Sequence, residues 1–121
     1  MLELKGVRTF YGNIQALWDV DLRIEEGEIV TLFGANGAGK STTLMSICGA
    51  VPIAGGEILF NGAPIHTLRP DKIVRLGISQ VPEGRLIFPD LTVRENLELG
   101  AYLRNDKSGI AKDMDFAFDL F

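Results

Sequence analysis

Polar and apolar residues alternate at the front of the chain. Leu2-Glu3-Leu4-Lys5 alternates, and Trp18, Val20, Leu22 and Ile24 alternate with Asp19, Asp21, Arg23 and Glu25. This is the period of antiparallel strands with one buried face, and it places Trp18 in the core. Gly27 marks a turn, after which Ile29-Val30-Thr31-Leu32-Phe33 replaces alternation with an unbroken apolar, β-branched run. Such a run predicts a strand covered on both faces, as in parallel sheets. Leu44, Ile47, Cys48 and Val51 then recur at i, i+3, i+4 and i+7, one face of a helix that Pro52 and Gly55-Gly56 stop.

Further along, Glu57-Ile58-Leu59-Phe60 runs into Asn61-Gly62, a hairpin signal. Pro70 to Leu76 reads as a short helix closed by Gly77, and Ile78-Ser79-Gln80-Val81 as a strand stopped by Pro82. Thr92 and Glu95 form a capping box that opens a helix through about Leu103. Met114, Ala117, Phe118 and Phe121 fit a last helix. Met114, Phe116, Phe118 and Leu120 also alternate, but Lys112, Asp113 and Asp115 suit an exposed helical face. The chain thus reads as α/β, with an antiparallel sheet attached to a strand-loop-helix unit.

Composition narrows this picture. At 121 residues there is room for one modest core and not for two full domains. The net charge of −4, with scattered basic residues, argues against a nucleic-acid partner. Cys48 is the only cysteine, so no internal disulfide is possible; its place on the apolar helix face predicts a buried structural thiol, suited to a reducing cytosol. The first residues hold no apolar signal core, and no stretch approaches the roughly 18 apolar residues of a membrane span. A soluble chain is expected, any membrane role coming through a partner.

The strongest chemistry lies between the apolar run and the first helix. Gly34-Ala35-Asn36-Gly37-Ala38-Gly39-Lys40-Ser41 is the phosphate-loop pattern GxxxxGK followed by Ser or Thr. A triphosphate needs a concave array of donors. Glycines at 34, 37 and 39 let successive N–H groups turn inward and phosphate oxygens approach without a Cβ in the way. The helix dipole adds favourable potential. Lys40 is placed to reach the β- and γ-phosphates, the Ser41 hydroxyl to ligate Mg²⁺, and Thr42 to help at the α-phosphate. No GxGxxG exists here, which excludes a dinucleotide fingerprint.

Five features in order give the chain a family likeness: Tyr11 ahead of the loop, GANGAGKST, the Gly55-Gly56-Glu57 turn, Gln80 ending a strand, and Leu91-Thr92-Val93-Arg94-Glu95-Asn96-Leu97 opening a helix. Together they resemble the ATP-binding subunit of an ABC transporter. Gln80-Val81-Pro82-Glu83-Gly84-Arg85, with Phe88-Pro89-Asp90-Leu91-Thr92, is most similar to the smaller of the two ATPase subunits of branched-chain amino-acid importers; urea and short-amide importer ATPases are also similar.

The resemblance implies a P-loop NTPase fold of the ABC ATPase type. Residues 1–28 and 56–66 would form an antiparallel β-subdomain, 29–55 and 67–82 the nucleotide-binding core, and 83–121 the start of a helical subdomain. It implies that Tyr11 stacks on adenine, that Gly34, Ala35, Asn36, Gly37, Ala38, Gly39, Lys40, Ser41 and Thr42 hold the phosphates of ATP, and that Ser41 and Gln80 ligate Mg²⁺. Gln80 would also act catalytically, on the hydrolytic water. Implied partners are ATP or ADP, transmembrane permease subunits and a second, homologous ATPase subunit, at the cytoplasmic face of the inner membrane. Glu83 and Arg85 read either as a surface facing transmembrane helices or as a solvated turn. His66 lies far upstream of the family's switch histidine and reads as a surface residue.

The resemblance covers the whole chain but only about the front half of the family domain. The LSGGQ-type signature, the strand ending in Asp-Glu, the D-loop and the switch histidine are not in these residues. Binding without steady-state hydrolysis is the expectation for residues 1–121, and the 29–33 run is expected to lack a covering neighbour. A non-hydrolysing ATP-binding or interaction module, and another P-loop ATPase or kinase, are the alternative readings.

Overall fold

The computed structural model describes residues 1–121, which form two compact units, Met1–Gln80 and Val81–Phe121. The first is built on an antiparallel sheet of β1 (Leu2–Tyr11), β2 (Ile14–Ile24), β3 (Gly55–Phe60) and β4 (Ala63–Pro64), in the spatial order β2-β1-β3-β4. β1 is central, pairing Leu4 with Leu22 on one side and with Ile58 on the other. Leu4, Val7, Leu17, Ile58 and Ile65 fill its covered face, joined by Ile47 and Ile73 from two helices. The hairpin expected at Asn61-Gly62 is present: both residues have positive φ, 50° and 81°, the conformation that matches the twist of a two-residue β-turn.

Alternation failed at one place in β2. Leu17 is 2% exposed and Trp18 73% exposed, the reverse of the expected core position for Trp18. The pairing register shifts between Val7↔Val20 and Thr9↔Leu17, and Asp19 sits there with φ 47°. A bulge adds a residue, so the inward phase carried by Val20, Leu22 and Ile24 passes to Leu17 instead of Trp18. Aspartate tolerates the left-handed backbone, and its carboxylate lies 3.7 Å from Arg8 Nε. Opposite, Gly6 has φ 55° and donates its N–H to Asp21 Oδ1 at 2.7 Å.

Neither of the other expected strands forms. The 29–33 run is unpaired, with Ile29 97% and Phe33 91% exposed, and residues 78–81 are likewise without strand partners. A strand exists only where a neighbour takes up its backbone groups, and residues 1–121 supply none to either segment.

The first helix, α1 (Lys40–Ile47), is shorter than its apolar spacing predicts and turns a different face inward. Thr42, Thr43, Ser46 and Ile47 are buried, whereas Leu44 is exposed and Val51 lies beyond the helix. The stop comes early because Gly49, at φ 76°, closes a Schellman motif: Gly49 N–H donates to Ser46 O at 3.3 Å and Ala50 N–H to Met45 O at 2.9 Å. Cys48, just past the helix, is half-buried, and desolvation raises its thiol pKa. α2 (Pro70–Arg75) buries Ile73 and ends at Gly77, φ 98°. His66 is half-buried, its Nδ1 accepting the Ile58 N–H at 3.2 Å, a structural tie on β3.

In the second unit, α3 (Val93–Gly100) begins at the expected capping box: Thr92 Oγ1 accepts from Glu95 N–H at 3.1 Å and Glu95 Oε2 from Thr92 N–H at 2.9 Å. It ends at Gly100, not Leu103, and residues 101–104 continue as turns. α4 (Lys107–Leu120) settles the last segment as a helix and starts earlier than its apolar periodicity suggested. Arg94 lies over the Phe118 ring at 5.1 Å from its centroid, a cation–π contact between α3 and α4.

Candidate phosphate-binding site

The loop from Gly34 to Gly39 turns into α1 through two left-handed glycines, Gly37 at φ 84° and Gly39 at φ 100°. Gly39 is also fixed by packing, because a Cβ there would fall 2.7 Å from Leu17 Cδ2 and 3.1 Å from Ala16 O. The bulge that turns Leu17 inward thus brings β2 against the loop. A Cβ on Gly34 would press within 3.0 Å of Ala38 Cβ. The loop can wrap a group only because these positions lack side chains.

Donors face the same region. α1 has no side-chain cap at its N-terminus, so its first-turn N–H groups, beginning at Lys40 and Ser41, have no partner from a capping side chain. Lys40 Nζ folds back to donate to Gly34 O at 2.5 Å and Ala35 O at 2.8 Å. Thr43 Oγ1 donates to Gly39 O at 2.8 Å and braces the start of the helix. Ser41 is exposed at the mouth.

Tyr11, at the end of β1, comes to the same helix: its hydroxyl and Thr42 Oγ1 hydrogen-bond at 3.3 Å, while nearly half the residue remains exposed. The structure therefore brings together Tyr11, residues 34–42 and the start of α1. Gln80, the last residue of the first unit, is half-buried in a segment without strand pairing.

This cradle fits a polyphosphate. Its backbone would close on a Cβ, its helix start lacks a side-chain cap, and its one cation already lies over the loop. A divalent ion has no protein cage here, since no three His, Cys, Asp or Glu side chains cluster. Mg²⁺ suits such a place, because it is commonly held by one or two protein oxygens together with phosphate oxygens, as the Ser41 hydroxyl would allow.

Sequence reasoning missed the buried pair Thr9 Oγ1 and Ser46 Oγ, 3.1 Å apart, beneath the Tyr11–Thr42 contact. The signal was present, for Thr9 lies two residues from Tyr11 on a strand and Ser46 four from Thr42 on a helix. It also missed the grip of Asn96, whose Nδ2 donates to Phe88 O, Leu91 O and Thr92 O while its Oδ1 accepts from Phe88 N–H.

Residues 17–120 match the ABC transporter family. The chain belongs to that family. Over all 121 residues it is 48% identical to the high-affinity branched-chain amino acid transport ATP-binding protein BraG of Pseudomonas aeruginosa, of which it covers 52%. It is 37% identical, again over its whole length, to the probable branched-chain amino acid transport ATP-binding protein LivF of Archaeoglobus fulgidus, covering 51% of that protein. The chain thus spans about half the length of these relatives. Among solved structures it resembles a dimeric ATP-binding cassette in a post-hydrolysis state bound to ADP and Pi, with a TM-score of 0.78 and 30% identity over 94% of this chain and 54% of that one. The ABC ATPase fold expected from the five ordered features is borne out.

Proposed function

We propose that the chain is the ATP-binding part of a subunit that energises import of branched-chain amino acids across an inner membrane, working on the cytoplasmic face with permease subunits and a second ATPase subunit. The observation that carries the nucleotide reading is the uncapped start of α1 behind Gly37 and Gly39, with Lys40 folded over the loop. The substrate class rests on the likeness to BraG along the whole chain.

ATP supplies the phosphoanhydride whose cleavage would drive transport. The chain's own residues first have to receive it. Lys40 exchanges its two carbonyl acceptors for phosphate oxygens, a favourable trade because the ammonium then faces ionised acceptors and gains a charge–charge attraction that neutral carbonyls do not offer. The N–H groups of the loop and first turn hold the phosphates, Ser41 contributes an oxygen to Mg²⁺, and Tyr11 offers a ring face to the adenine. Gln80 would contribute its carbonyl oxygen to the metal or orient water.

Substrate and assembly are tested by exchange. A chimera carrying residues 1–121 in place of the matching segment of BraG, in cells lacking BraG, should restore leucine uptake, and its Lys40→Ala form should not. A chimera that binds ATP yet leaves uptake absent would refute the importer assignment while leaving nucleotide binding intact.

A further inference from the structure

Two hydroxyl pairs join β1 to α1. Thr9 meets Ser46 at 3.1 Å, fully buried, and Tyr11 meets Thr42 at 3.3 Å, at the rim. Their spacing is no accident of one contact: two strand residues advance about 6.7 Å and four helical residues about 6.0 Å, so a strand pair i, i+2 runs in step with a helix pair i, i+4. The result is a two-rung ladder setting how far α1 slides along β1.

The rungs differ in what they can do. The inner one is closed off from water and ties the helix to the strand, since losing either partner would strand a buried hydroxyl. The outer one involves a Tyr11 side chain that is nearly half exposed, where exchange with water leaves little stability to gain. What it does fix is the direction of the ring.

Resting on the reading that Tyr11 faces the adenine, we propose that Thr42 is the positioning residue of the base site, its hydroxyl holding the Tyr11 ring in the orientation that stacks. A threonine hydroxyl has one donor and two acceptor positions. Thr42 can therefore accept from the Tyr11 hydroxyl while donating to a phosphate oxygen, and a hydroxyl polarised by donating to an anion is a better acceptor. Phosphate occupancy thereby tightens the rung, so that the same residue couples the two ends of the nucleotide.

Titration calorimetry of the full chain with Mg-ATP and with Mg-tripolyphosphate separates base from phosphate contributions. Tyr11→Phe and Thr42→Val should each lower the ATP-over-tripolyphosphate preference about threefold to tenfold. The double variant should lose no more than either single one, and Thr42→Ser should restore the preference. If Tyr11→Ala lowers the preference but Thr42→Val does not, the positioning role is wrong and the base reading stands. If Tyr11→Ala leaves it unchanged, the base reading itself fails. A Thr42→Val chain that weakens both ligands equally acts on phosphate alone and overturns the proposal. A ligand-free measurement is available because Tyr11 and Tyr102 are the only tyrosines. With ring-labelled tyrosine, Thr42→Val should shift and broaden the Tyr11 resonances and leave those of Tyr102 in place; an unmoved Tyr11 signal contradicts the ladder.

Discussion

At the scale of single residues, one bulge decides which of two neighbours is core. Leu17 and Trp18 are adjacent, and alternation alone favours the tryptophan, yet the extra residue at Asp19 turns Leu17 inward against Gly39 of the phosphate loop. Truncating Leu17 to alanine should therefore cost about 2–5 kcal/mol, as for other buried leucines, whereas Trp18→Ser should stay within about 0.5 kcal/mol, as surface changes do. Urea denaturation of the two variants checks this, and a larger loss for Trp18→Ser would show that the tryptophan is covered. The bulge was not legible because aspartate is an ordinary outward residue in a strand, and only pairing with β1 requires it to adopt a positive φ. Two glycines of the loop, by contrast, were legible on local grounds: Gly37 and Gly39 adopt a positive φ, which glycine takes without steric cost.

At the scale of elements, those with local causes were readable and those that need distant partners were not. The Asn61-Gly62 hairpin, the Thr92–Glu95 capping box and the Gly77 stop all lie where the sequence puts them. The 29–33 and 78–81 runs have the composition of strands but no strand partners within residues 1–121. α1 differs for another reason: three of its four buried residues carry hydroxyls, two of them bonded to hydroxyls of β1, a packing that apolar periodicity cannot signal.

The entry to α4 has a pH signature. Arg104 donates through Nε and Nη2 to Asp106 and through Nη1 to Asp113, and these bonds hold the Asp106 carboxyl below its ordinary value of 3.8 while raising the guanidinium pKa. A depressed carboxylate stabilises the fold above its unfolded pKa, and that contribution is lost as pH falls through the folded value. The first turn of α4 should thus loosen only below the ordinary carboxylate range. NMR titration should show Asp106 titrating lower in the natural chain than in Arg104→Ala; identical midpoints would dismiss the clamp. The groups are exposed, so the effect on stability is small.

At the scale of the whole molecule, the two units carry different kinds of information. Met1–Gln80 holds the sheet, the loop and α1, whose packing can be traced to named contacts, while Val81–Phe121 is two helices with many apolar side chains left in solvent, among them Tyr102, Phe116 and Leu120. No helix is long and apolar enough to cross a membrane. Apart from Gln80, the groups that the family resemblance assigns to attack on the γ-phosphate are not among residues 1–121, and nucleotide binding at the loop is the property proposed for these residues. Titration calorimetry of the chain and of Lys40→Ala with Mg-ATP tests this most directly. The account predicts a saturable isotherm for the chain that is lost or weakened at least tenfold in the variant, consistent with about 1.5–3 kcal/mol for a hydrogen bond to a charged group; an unchanged isotherm in Lys40→Ala would contradict it.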